Sequence, residues 1–454
     1  MKRNIPLIAL MALVLLAVQP LSAQQQWSLR QCIDYAIDHN LQIKQQGITC
    51  QQRAIDVDNA KNSRLPDLGA SASENFSFGR GLTAQNTYTN TNTSSTSFSL
   101  STSVPIFTGF RIPRTLELNK LNLEAANADL ERAKNDIRTQ VAQAYVQILY
   151  DKEVCGVARR QIEIDSLQVF RLKEMLRNGK ASGTEVAQQE ATLAQSRLTS
   201  TQADNDLRLA LLTLTQLLEL PSPDGFDIEE PGLAVPSLGR DEEVGDTPLP
   251  TPDAIYADAV GVKPEVEAEV LRLKGSEKSI LIARSAGLPS LSFQAGLGSN
   301  YYKTSGFESD GFFKQLKNNF SQYIGLSLSV PIFNRFETRN NIRSAELNMQ
   351  TQQLQLANTK KQLYKEIQQA YYTAVNAREK HVSCQQALKS SEEAFHLMSA
   401  KYEYGKANIT EFNEAKNNLL LAQSNLLRAR YEFIYQCALL DFYRGKELRL
   451  FARN

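Results

Sequence analysis

Ser103-Val-Pro-Ile-Phe107 returns 226 residues later as Ser329-Val-Pro-Ile-Phe333. Its neighbours obey the same displacement: Ala144-Tyr145 recurs as Ala370-Tyr371, and Gly179-Lys-Ala181 with Thr184-Glu185 recurs as Gly405-Lys-Ala407 with Thr410-Glu411. Further upstream, Leu65-Pro-Asp-Leu68 is matched by Leu288-Pro-Ser-Leu291 at a displacement of 223. Pieces that return in the same order mark a tandem duplication. Between the copies, residues 221–252 hold seven of the fifteen prolines, and eight acidic residues against one arginine. That composition predicts an irregular connector.

Working outward from the repeated motif, the C-terminal side of each copy reads as helix. From Asn334 to Tyr404 the chain runs 71 residues without Gly or Pro, enough for an uninterrupted helix of roughly 105 Å at about 1.5 Å per residue. No ordinary globular core is that wide. Leu116, Leu123, Leu130, Ile137 and Ala144 fall on every seventh residue, and Ile342, Met349, Leu356, Leu363 and Ala370 repeat the stripe. A seven-residue apolar repeat predicts helices packed side by side as coiled coils. Gly179 and Gly405 interrupt the runs, and new helices are expected after Ser182 and Asn408, giving two helical hairpins.

On the N-terminal side of the motif the period drops to 2. Phe98, Leu100, Thr102 and Val104 alternate with serines, and Ile324, Leu326, Leu328 and Val330 alternate with Tyr323, Gly325, Ser327 and Ser329. Leu291, Phe293, Ala295 and Leu297 alternate in the same way, whereas Glu74 interrupts the oily face of the stretch from Asp67 to Phe78. Such alternation predicts strands with one apolar and one polar face. Four are expected, over 66–78, 94–105, 289–299 and 323–331, joined by exposed tips at 79–95 and 300–322 rich in Asn, Thr, Gly and Ser. Phe107 and Phe110, with their counterparts Phe333 and Phe336, stand at the strand-to-helix switch. Aromatics there suit a membrane-interface girdle; a local core cluster is the competing reading.

Composition narrows the function. Lys and Arg number 50 against 49 Asp and Glu, so no basic surface is available for a phosphate backbone and nucleic acid is not an expected partner. Only His39, His381 and His396 occur, widely separated, and neither a nucleotide-binding Gly-Lys-Ser/Thr loop nor a nucleophile motif with a histidine base is found. We expect no enzyme, no cofactor and no metal site. Lys2 and Arg3 precede an apolar run from Ile5 to Val18 that ends near Ala23, which reads as a secretory signal over 1–23. The first cysteine beyond that run, Cys32, falls inside a helical pattern, so no lipid anchor is expected there. The five cysteines, Cys32, Cys50, Cys155, Cys384 and Cys437, lack paired spacing and read as small core side chains.

Alternating strands in an exported chain suggest an outer-membrane barrel, in which every backbone polar group is paired because lipid offers no partners. Four strands cannot close one. Three copies supply twelve, whereas two supply eight and leave little interior for transport. The expected fold class is therefore an internally duplicated α+β membrane protein, each chain contributing four strands to a trimeric twelve-stranded β-barrel continued by a long periplasmic helical barrel. The order of its parts is a signal at 1–23, a first repeat at 24–220, a linker at 221–252, a second repeat at 253–446 and a tail at 447–454. A periplasmic coiled-coil scaffold without a pore is the alternative.

The order of features, from the Ala-bearing helix Ser28–Asn40 through Leu65-Pro66, the Ser-Val-Pro-Ile-Phe steps and the Gly-x-Ala-x-x-Thr-Glu turns, resembles the TolC-like outer-membrane efflux protein family. That resemblance implies a homotrimeric export duct in the outer-membrane lipid, coupled through a periplasmic adaptor to an inner-membrane efflux pump or ABC exporter. It implies adaptor docking at the two turns, with Gly179, Ala181, Thr184, Gly405, Ala407 and Thr410 as tip residues. It also implies a periplasmic gate lined by Glu411 and Glu414. Local chemistry competes at two of these places. Glycine commonly stops a helix, and Glu411, three residues after Asn408, fits an N-terminal capping box, as Glu185 does after Ser182. Glu414 has no capping role, and its first-repeat counterpart is the neutral Gln188.

Overall fold

A computed structural model describes residues 26–82, 86–230 and 249–450; the expected signal segment lies outside them. The elements in chain order are β1 (Gln26–Trp27), α1 (Leu29–His39), α2 (Leu41–Asn62), β2 (Asp67–Leu82), β3 (Tyr88–Thr108), α3 (Arg111–Arg177), α4 (Gly183–Leu217) and β4 (Asp227–Ile228). The second repeat follows with α5 (Pro252–Val260), α6 (Pro264–Ser285), β5 (Ser290–Thr304), α7 (Phe312–Asn318), β6 (Ser321–Ser329), α8 (Glu337–Glu403) and α9 (Ile409–Tyr443). The duplication holds to the residue: α3 and α8 each span 67 residues, and α4 and α9 each span 35.

Two compact units emerge, each drawing on both repeats. One comprises Ile48–Asp129 and Glu265–Thr359 and carries the main sheet, with antiparallel order β2-β3-β5-β6. Three of its strands outrun the expected ones, whereas β6, expected over 323–331, runs from Ser321 to Ser329. β2 and β3 pair from Asp67↔Ser103 up to Leu82↔Tyr88, so most of the expected 79–95 tip is strand. Period-2 patterning vanishes there because Thr89 to Ser95 is uniformly polar, while the backbone ladder, favoured by Thr, continues regardless. In the other tip α7 takes the place of a longer β6. Gln315 accepts from the Tyr302 backbone N–H at 2.9 Å and donates to its carbonyl at 3.0 Å, and Asn319 donates to the Asn300 carbonyl at 2.7 Å. Side-chain amides thus satisfy the edge of β5 beyond the end of β6.

The other unit runs from the N-terminal segment to Gly47, through Leu130–Pro264, and from Lys360 onward. Its main core joins Cys32 and Ala36 of α1 to Ile137, Val141, Ala144 and Ile148 of α3, Leu214 of α4, and Tyr431 and Ala438 of α9. Ile137 and Ala144 belong to the seven-residue stripe, and Leu363 and Ala370 of the second stripe are buried as well. The start of the expected linker is ordered: β4 pairs parallel with β1, Ile228 is buried, Lys152 bridges Asp227 at 2.6 Å, and the Tyr145 hydroxyl donates to the Glu229 carbonyl at 2.6 Å. The expected tail is likewise packed where described, with Leu448 and Leu450 buried.

Candidate functional site

Two regions carry the functional expectations, the sheet in one unit and the hairpin turns in the other. In the sheet the faces segregate across all four strands. Leu68, Ala70, Phe76 and Phe78 of β2 lie on the side of Phe98, Leu100 and Val104 of β3, Phe293 and Leu297 of β5, and Ile324, Leu326 and Leu328 of β6. The opposite face is a hydroxyl ladder, with Ser71 and Ser73 hydrogen-bonded to Ser99 and Ser97 at 2.7 Å each. Most of the large oily side chains are exposed, Phe78 by 75% and Ile324 by 80%. An oily sheet face of this extent demands an apolar medium. Glu74 stands on that face, where it accepts hydrogen bonds from Thr96 and, at 2.6 Å, from Ser94.

Where the strands give way to α3 and α8, Phe107 meets Phe110 edge-on at 5.2 Å between centroids and Phe333 meets Phe336 at 5.5 Å. Phe110, Phe333 and Phe336 are exposed, which argues against the core-cluster reading. Both turns require left-handed backbone, at Gly109 and Phe110 in one repeat and at Arg335 and Phe336 in the other. At Gly109 a Cβ would meet the Ser285 carbonyl oxygen at 2.7 Å, so this position also admits no side chain.

At the hairpin turns, Gly179 (φ +67°) and Gly405 (φ +68°) end α3 and α8. The next amides, of Lys180 and Lys406, bond to the carbonyls of Met175 and Lys401 at 2.8 Å each, closing both helices in Schellman fashion. Ser182 with Glu185 and Asn408 with Glu411 form complete capping boxes that start α4 and α9. Ala181 is half-buried against a cluster of Leu172, Val186, Ile409 and Phe412, and Ala407 is half-buried too. Thr184 and Thr410 are exposed, and Thr410 accepts from Gln188 at 3.2 Å. Glu411 is committed to its cap. Glu414, one helical turn on, is exposed, with no hydrogen-bond or ion-pair partner among the described residues.

Below the turns lies a group of residues that sequence reading missed. Asp165 of α3 is fully buried and forms an ion pair with Lys416 of α9, itself only 2% exposed. The Asp165 carboxylate also accepts from Ser196 at 2.5 Å, Gln161 at 2.9 Å and Gln189 at 3.2 Å. Asn413 closes the network, donating to Gln189 at 3.0 Å and accepting from Lys416 at 3.2 Å. The first hairpin is thereby tied to the second through charge-assisted bonds among mostly buried side chains. A signal existed in the sequence: Cys155, Ala158, Gln161, Asp165, Val169 and Leu172 follow helical core spacing, so Asp165 sits where an apolar residue belongs.

A family model described as outer membrane efflux protein matches the chain twice, over residues 32–219 and 255–443. Nodulation protein T of Rhizobium leguminosarum bv. trifolii is 21% identical, the match covering 91% of this chain and 84% of that one. The pyoverdine export outer membrane protein OpmQ of Pseudomonas aeruginosa is 24% identical over 68% of this chain, and the match spans 61% of its own length. Among solved structures, the outer membrane protein VceC from Vibrio cholerae superposes with a TM-score of 0.73 at 19% identity, covering 93% of this chain and 97% of that one. A twice-matched model spanning most of the chain, together with a sheet whose oily face needs lipid, places the chain in the outer membrane efflux protein family, whose members are channels.

Proposed function

We propose that three copies of this chain close a twelve-stranded barrel and form the outer-membrane duct of a tripartite export system, passing solutes that an inner-membrane pump delivers through a periplasmic adaptor. The observation that carries this reading is the four-stranded sheet, with one oily face, one hydroxyl-lined face and two open edges, feeding helices of 67 residues. Open edges in lipid leave backbone groups unpaired at several kcal/mol each, so a lone protomer is untenable. The serine ladder suits a wet lumen that conducts without binding tightly.

The exposed turns around Gly179 and Gly405 are the proposed adaptor contact, with Ala181, Thr184, Ala407 and Thr410 beside them; small residues permit a close backbone approach. Glu414 is the gate candidate, since three chains would set a ring of carboxylates that attracts cations and holds multivalent ions. Glu411, engaged in its cap, contributes charge there without being free to move. The name of OpmQ specifies pyoverdine export; a polar lining of the present kind is compatible with a broader set of solutes.

Amine cross-linking in mild detergent tests the assembly, with a trimer expected; a stable membrane-inserted monomer would overturn it. In planar bilayers Glu414→Gln should reduce cation selectivity and multivalent-ion block, and unchanged values would remove Glu414 from the gate. A bulky residue at Ala407 should abolish export at normal trimer abundance.

A further inference from the structure

The two strand hairpins are copies in register as well as in sequence. Adding 223 to a residue of β2 and 226 to one of β3 converts the pair Asp67↔Ser103 into Ser290↔Ser329 and Ala72↔Phe98 into Ala295↔Ile324, which are the pairs observed between β5 and β6. The hairpins are joined by β3 and β5, the second strand of one repeat and the first strand of the next. The edges left open, β6 and β2, are again a second strand and a first strand. One chain therefore contains a worked example of the junction it lacks.

Resting on the trimeric reading above, we infer that β6 of one chain pairs antiparallel with β2 of the next in the register that β3 adopts on β5. Carrying the observed pairs across the same displacements turns Ser101↔Gly296 into Ser327 against Ser73 of the neighbouring copy, and Ser103↔Gln294 into Ser329 against Ser71. On the oily face it sets Ile324 against Phe76, Leu328 against Ala72 and Leu326 against Glu74. The Glu74 carboxylate is already held by Ser94 and Thr96 of its own chain, so it need not face the seam as an unpaired charge. A slip by one residue would set the oily face of one chain against the polar face of the next.

An independent observation supports the seam. Val104-Pro-Ile-Phe107 lies within β3, where Val104 and Phe107 pair with Phe293 and Leu291. The identical Val330-Pro-Ile-Phe333 lies outside any strand, and Val330, Ile332 and Phe333 are exposed. Sequence cannot account for the difference; a missing partner strand can. The inferred register supplies it, placing Val330 against Ala70 and Phe333 against Leu68 of the neighbour, so that β6 lengthens on assembly.

Oxidative cross-linking of paired cysteine variants in the intact protein tests the register. Directly opposed residues have Cβ atoms about 4.5–5.5 Å apart, within disulfide reach, whereas diagonal neighbours lie roughly 7–8 Å apart. Ser73→Cys with Ser327→Cys should give covalent trimers on non-reducing gels, with either single variant as the control for native thiols. Ser71→Cys or Asn75→Cys combined with Ser327→Cys should give at least tenfold less. Cross-linking of a diagonal pair in preference, or of none while amine cross-linking still yields trimers, would overturn the register and leave the assembly standing. Monomers by both methods would overturn the assembly, and the register with it.

Discussion

Replacing Lys416 by Met tests whether the buried network holds the two hairpins together. The substitution keeps the length of the side chain and removes the counter-charge of Asp165, whose carboxylate stays fully buried with bonds from Ser196, Gln161 and Gln189. Removing one partner of a buried ion pair costs about 3–5 kcal/mol, because the remaining charge is left uncompensated. Each 1.4 kcal/mol is a factor of ten, so even the lower figure should speed local opening by roughly two orders of magnitude. Amide hydrogen exchange on the detergent-solubilised protein reads this directly in the helical amides around Asp165 and Lys416. Pairing the change with Asp165→Asn removes the charge left behind, and exchange should return to within about tenfold of the parent. Exchange in the Lys416 variant within twofold of the parent, or a double variant as fast as the single one, would refute the argument that charge compensation holds these helices.

Gly109→Ala should destabilise the strand-to-helix turn by about 2–3 kcal/mol, since the new methyl meets the Ser285 carbonyl oxygen and the backbone there is left-handed; trimer yield and thermal stability in detergent report it, and unchanged values would mean that the turn relaxes freely. Burial raises the Asp151 carboxyl above its ordinary range, so its ionisation opposes folding and the parent should gain stability as pH falls through that raised value. Asp151→Asn should accordingly melt higher than the parent at neutral pH and lose the advantage in acid; a pH-independent difference would contradict this. Burial also pushes the Cys32 thiol up to about 12, so maleimide at pH 7 should modify the half-buried Cys50 and Cys384 in the native protein while sparing Cys32 until it unfolds.

Much of the candidate site was legible because its signals are local. The glycines that end α3 and α8, the capping boxes after Ser182 and Asn408, and the switch from period 3.6 to period 2 each depend on a few consecutive residues. They sit in the structure as the sequence places them. The outer ends of β2 and β3, residues 79–82 and 88–93, were not legible, because a run largely polar on both faces has no alternation to read. Nor was the network around Asp165, whose partner Lys416 lies 251 positions away.

By itself the sequence determines that the fold is built twice, that its helices are too long for a globular core, and that its strands carry one oily face. Repeat spacing and hydrophobic period are properties of the chain and survive any change of neighbours. Tertiary structure decides what those faces meet. It set the register of β3 on β5 and placed Asp165 where only a cation from another helix makes burial tolerable. The same Val-Pro-Ile-Phe is strand at 104–107 and not at 330–333, because a strand is completed by the backbone beside it.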